Sequence, residues 1–266
     1  MVFEQLINVN WLERKRYFAL FLGFCYSLIG ILSAKLIFPS SAGIMAVAFT
    51  SLLIVPTLNK LLLIEENLEI REKKLSIRLL FKDHKDVFEI YFFLFLGIFF
   101  SFALVNLFVP MTTSLKLFAP QLKVAGLTGG AFSSAFFTKI LLNNLLVLFV
   151  CFILSLVYGA GSVIFITWNA SAWGVIFAHY AKDAAGFVGG SPFTQFFVII
   201  IPALPHMFTE VASYFSAAVV GGVVSKAVLR EKLFSEKFHH IITDALILLA
   251  LGVALVVLAA VIETVV

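Results

Sequence analysis

Long apolar runs recur along this chain and limit its possible folds more than any motif does. They fall at about 17–38, 42–58, 88–109, 139–158, 160–180, 192–226 and 241–262. A run of about 18 apolar residues is long enough to cross a hydrocarbon core as a helix. In that medium every backbone group has to be satisfied within the segment, so helices are the natural solution. Composition agrees: 62% of the 266 residues are hydrophobic and only 13% are charged. A soluble domain is nearer half apolar and a quarter charged. The expectation is an all-α, polytopic transmembrane bundle forming a single integral membrane domain over residues 1–266, with about seven crossings.

The basic residues give the bundle a direction. With the N-terminus inside, the inner segments 1–16, 59–87, the turn near 159 and 225–240 hold 14 of the 19 Lys and Arg. Lys35, Lys116, Lys123, Lys139 and Lys182 remain outside. The positive-inside bias therefore predicts a multi-pass protein of the plasma membrane, N-terminus cytoplasmic and C-terminus out. The first run follows Arg14-Lys15-Arg16, is too long for a signal-peptide core and has no small-residue cleavage site, so it reads as an uncleaved span. Segment 59–87 mixes Leu and Ile with both charge signs and predicts a cytoplasmic interfacial helix. Segment 110–138, with Pro110, Pro120, Gly126, Gly129 and Gly130, predicts an extracytoplasmic loop or cap.

Chemistry-bearing motifs are sparse. No Gly-Lys-Ser/Thr follows Gly126-x-x-Gly129-Gly130, so that is not a phosphate loop, and no zinc-protease signature or nucleophile elbow occurs. Cys25 and Cys151 are both within spans and suggest neither a disulfide framework nor a metal site. Neither a metal nor any other cofactor is expected, and nothing suggests a nucleic-acid partner. The 31 Phe residues read as lipid-facing and packing residues.

Polar residues inside spans are costly and face a bundle interior or a watery cavity. Asn143 and Asn144 sit in the fourth run, Trp168 and Asn169 in the fifth, and His206, Glu210 and Tyr214 in the sixth. His206 and Glu210 are one helical turn apart and share a face. Pro202 and Pro205 precede them in a 35-residue run that would measure about 52 Å as one helix, against a core of ~30 Å. A Pro-broken or re-entrant element is therefore expected, with the main helix starting near Pro205. Two readings of these side chains stand side by side: a hydrogen-bonded lock between helices, or a polar site of the kind transporters build at broken helices. Asp244 reads as an acid near a helix N-terminus.

The stretches LLNNLLVLFVCF (141–152), YGAGSVIFITWNASAWG (158–174) and PHMFTEVASYFSAAVVGGVVSKAV (205–228) resemble the stage II sporulation protein M family, particularly its archaeal branch. The segments LERKRYFALFLGFCYSLIGIL and ITDALILLALGVALVVLAAVIE resemble that branch too. Where the family often has Gly after the His and the Asn, this chain has Met207 and Ala170. The resemblance implies a non-catalytic membrane scaffold in envelope or membrane remodelling. Its partners would be membrane lipids and either a second copy, a dimer being favoured, or other membrane proteins. The residues alone also allow a transporter or permease subunit in which His206 and Glu210 move a proton, ion or lipid headgroup. An intramembrane enzyme is the weakest reading, since no nucleophile joins the His and Glu.

Overall fold

The computed structural model describes residues 12, 15–69, 77–124, 134–233 and 235–265. Among these every regular element is helical. They are α1 (Phe18–Ile37), α2 (Ala42–Glu69), α3 (Ile77–Phe108), the short α4 (Met111–Leu117) and α5 (Ala119–Leu122), then α6 (Ser134–Tyr158), α7 (Val163–Val188), α8 (Pro192–Arg230) and α9 (Glu236–Val265). The protein is an all-α, multi-pass helical bundle.

The punctuation follows backbone chemistry. A Pro39-Ser40-Ser41 turn separates α1 from α2, and Pro110 ends α3 because it cannot extend the hydrogen-bond ladder. Between α6 and α7 the chain reverses through Gly159 at φ 68°, and after α7 through Gly189 at 81° and Gly190 at 94°. These left-handed values cost a side chain-bearing residue energy that glycine avoids. Ser191 then caps α8, its Oγ accepting from the Phe193 N–H at 3.3 Å, with Pro192 in the first helical position.

Six described helices are long and apolar enough to cross a membrane: Phe18–Ile37, Ala42–Leu62, Lys85–Phe108, Phe137–Tyr158, Pro192–Arg230 and Glu236–Thr264. The seventh expected crossing, 160–180, corresponds to α7, which is not among the six. It carries Asn169, His179, Lys182 and Asp183, and packs against α2, α3 and α8. A helix enclosed by protein does not need an apolar surface all round. The most extensive of the other contacts are α1 with α2 and α3, and α8 with α6 and α9; α8 also touches α2 and α3, and α6 touches α9.

The expected break in α8 is corrected by the structure. Residues Pro192–Arg230 form one continuous 39-residue helix with Pro202 and Pro205 inside it. Each proline deprives one carbonyl, of Val198 and of Ile201, of its helical donor. Both residues are on the outer side of α8, Val198 59% and Ile201 61% accessible. Around the gap α8 packs on α3, with Phe196 against Phe99 at 6.0 Å between centroids. Phe193 at the start of α8 stacks on Phe108 at the end of α3 (5.4 Å between centroids), while Gly222 near the other end lies against Leu62.

The helical part of 59–87 consists of continuations of α2 and α3, with residues 70–76 outside the described set. Within 110–138, α4 and α5 fold back on the bundle, the buried Gln121 Nε2 donating to the Gly43 carbonyl at 3.0 Å; residues 125–133 are outside the described set. Close packing of α1, α3 and α7 depends on glycine. A Cβ on Gly97 would meet the Leu20 carbonyl, and one on Gly174 the Phe99 carbonyl.

Candidate functional site

Glu210 is the one carboxylate among the described buried polar residues, 7% exposed in the middle of α8. The Tyr214 hydroxyl, one turn further along, donates to its Oε1 at 2.8 Å. This is the i,i+4 geometry that brings side chains on one helix face together. From α6, the Asn144 side chain lies beside the same carboxyl. Asn144 Oδ1 accepts from Asn143 Nδ2 at 3.2 Å, while its own Nδ2 closes no hydrogen bond of good geometry. Helices α6 and α8 run in parallel, since Gly221 meets Phe152 and Ser155 as Glu210 meets Asn144. Around the polar group Leu148, Cys151, Ala217 and Val256 form a small apolar cluster with Tyr214.

His206 does not join this group. No hydrogen bond or ion pair links it to Glu210 among the described residues, and its half-buried ring instead meets Trp173 of α7 edge-on, 6.4 Å between centroids. The pairing expected from the shared face is therefore corrected. Four residues of spacing put both side chains on one side of α8, but that side borders two neighbours, and each residue faces a different one. Asn169 is also elsewhere, its Nδ2 donating to the Phe165 carbonyl of its own helix at 2.9 Å. Trp168 packs against the main core, its carbonyl accepting from Ser171 Oγ at 2.8 Å. Asp244 lies two turns into α9 rather than at its start and pairs with His240 at 3.5 Å.

Other polar groupings escape a reading of the sequence. Glu263, near the end of α9, brings a second carboxyl towards Glu210. Where α3 ends, the fully buried Asn106 donates to the Val175 carbonyl at 2.7 Å and accepts from Ser114 Oγ. Lys182 Nζ reaches the Val109 carbonyl at 2.7 Å and Asn106 Oδ1 at 3.4 Å, which ties α7 to the end of α3. At the opposite end of the bundle Arg16 binds Asp86 at 2.8 Å and Glu89 at 2.6 Å. A polar residue just before a helix breaker, as in Asn106 ahead of Pro110, is the available signal.

The family model described as Stage II sporulation protein M matches residues 90–266. The chain belongs to that family. The match contains Asn143, Asn144, Trp168, Asn169, His206, Glu210 and Tyr214, and leaves α1 and α2 outside. No curated protein and no solved structure matches it significantly. Within this stage II sporulation protein M member, the Glu210 group offers a carboxyl, a phenol and two amides. Those can hold a proton and tie α6 to α8. No cluster of three His, Cys, Asp or Glu able to hold a metal ion occurs among the described residues.

Proposed function

We propose that the protein is a non-catalytic membrane scaffold, organising partners within the membrane rather than moving a solute through it. The observation carrying this reading is the packing of Glu210. It is 7% exposed, bonded to Tyr214 and set beside Asn144 in an apolar cluster. The apolar pockets beside α3 and α8 that are lined mainly by Phe, Leu, Val and Ala do not include Glu210 or His206 in their walls. A transport site needs its polar groups to meet water from each side in turn, whereas a lock between helices is stable when dry. Membership of the stage II sporulation protein M family supports the same reading, in the plasma membrane and with a second copy or another membrane protein as partner.

The test is flux. Purified protein in liposomes carrying a pH-sensitive dye and a potassium diffusion potential should dissipate proton gradients no faster than empty liposomes. Gentle-detergent extracts of native membranes should yield it with a second copy or another membrane protein in fixed ratio. A proton leak that scales with protein and disappears in Glu210→Gln would replace this reading with the transport one.

A further inference from the structure

Between α3, α8 and α9 the bundle leaves a groove of about 640 Å³. Its walls are Phe88 and Phe92 of α3, Phe208 and Phe215 of α8, and Leu251 and Leu255 of α9, so the surface is almost wholly hydrocarbon. The groove lies within segments long and apolar enough to cross a membrane. Along α9 it runs from Leu248 to Leu258, about 15 Å at 1.5 Å per residue. That is the depth of one leaflet of a ~30 Å core.

One end of the groove is charged. Phe92 stacks on Phe208 at 5.5 Å, and seven residues earlier in α3 stands Lys85, also on the lining. Arg16 is shared between Asp86 at 2.8 Å and Glu89 Oε2 at 2.6 Å, and Glu89 itself is on the groove lining. Lys85 keeps only a 3.5 Å contact to Glu89 Oε1, with its side chain 63% exposed. An ammonium has three donors, so it has N–H groups to spare at the mouth of an apolar slot.

We propose that this groove binds one hydrocarbon chain of an anionic membrane phospholipid, with the phosphate held by Lys85. Charge favours this occupant over a protein helix. The apolar flank of a helix laid in the groove would stand against an ammonium. A phospholipid supplies a thin chain for the phenyl walls and an anion for the cation, the arrangement by which basic residues at membrane boundaries select anionic headgroups. The site adds a ligand to the scaffold reading without depending on it, since a transporter could carry the same lipid.

Native mass spectrometry of the delipidated protein, titrated with phosphatidylglycerol and phosphatidylcholine, tests it. Wild type should retain one phospholipid per chain and prefer phosphatidylglycerol by about fivefold. Lys85→Gln, a change at an exposed position, should still bind lipid but lose the preference. Ala212→Trp, which fills the groove from α8, should lose the retained lipid, whereas Leu142→Trp on the exposed flank of α6 should keep it. Equal affinity of the wild type for the two lipids would overturn the proposal, as would undiminished retention by a folded Ala212→Trp. A dimer that Ala212→Trp converts to monomer would identify the groove as a protein seat instead, and would equally overturn it.

Discussion

The Tyr214 hydroxyl donates to Glu210 Oε1 at 2.8 Å from one turn further along α8, and both side chains are almost fully enclosed. The phenol therefore has its acceptor and the carboxyl one of its donors within a single helix. Asn144 brings α6 to the same point.

Removing either partner strands the other. Tyr214→Phe and Glu210→Leu should each destabilise the protein by about 1–3 kcal/mol, the cost of a buried polar group left unpaired. Glu210→Gln keeps an oxygen that can accept from Tyr214 and should melt close to wild type. Thermal denaturation in detergent separates the three, and a Glu210→Leu variant as stable as Glu210→Gln would contradict the lock.

Glycine positions should divide by what surrounds them. Gly97→Val would press a branched side chain into the backbone of α1, which should cost about 1–3 kcal/mol or prevent folding. Gly186, in the last turns of α7, has open space where a Cβ would stand, with nothing within 4 Å, so Gly186→Ala should stabilise by about 0.5–1 kcal/mol. Melting temperatures moving in opposite directions are the expected result.

Arg16 joins the start of α1 to Asp86 and Glu89 of α3 through partly exposed ion pairs. Arg16→Ala should cost no more than about 1 kcal/mol, as solvated pairs contribute little. The difference from wild type should shrink in 1 M salt, where the screening length falls to about 3 Å. A penalty unchanged by salt would show that the side chain works by packing and not by charge.

Crossing of α7 is decided by labelling. In a background lacking Cys25 and Cys151, Tyr158→Cys and Phe187→Cys flank α7 at exposed positions, 70% and 91% accessible. An impermeant thiol reagent should reach them from opposite sides, and with seven crossings Ser40→Cys should label with Phe187→Cys. Reaction of Tyr158→Cys and Phe187→Cys from the same side would reduce the count to six.

The bundle is readable in the sequence because lipid imposes a simple rule on length and polarity, and because Pro39, Pro110, Gly159 and Gly189 punctuate the runs. Glu210, Tyr214 and Asn144 stand out for the same reason, as polar atoms where hydrocarbon is the surrounding solvent. Their grouping is harder to read. Spacing of four residues places His206 and Glu210 on one face, yet which neighbour each one meets depends on how α6 and α7 flank α8, and that is a tertiary fact. Proline chemistry also misleads, since the loss of two donors says nothing of the packing that holds Pro192–Arg230 together. Glu263 and Lys182 attract no suspicion as partners of buried groups because they sit at the ends of runs, where charge is cheap.

Gly97 lies within the stretch matched to the family, whereas Leu20, whose carbonyl occupies the space a side chain there would need, lies in α1, outside it. The boundary of recognisable ancestry thus cuts through a place where two backbones touch. A shortened protein beginning at residue 90 would start partway along α3 and uncover the flank on which α1 rests. The first two helices are accordingly not a removable appendage, and exchanging them between relatives should succeed only where the incoming α1 leaves its main chain as close to Gly97 as Leu20 does.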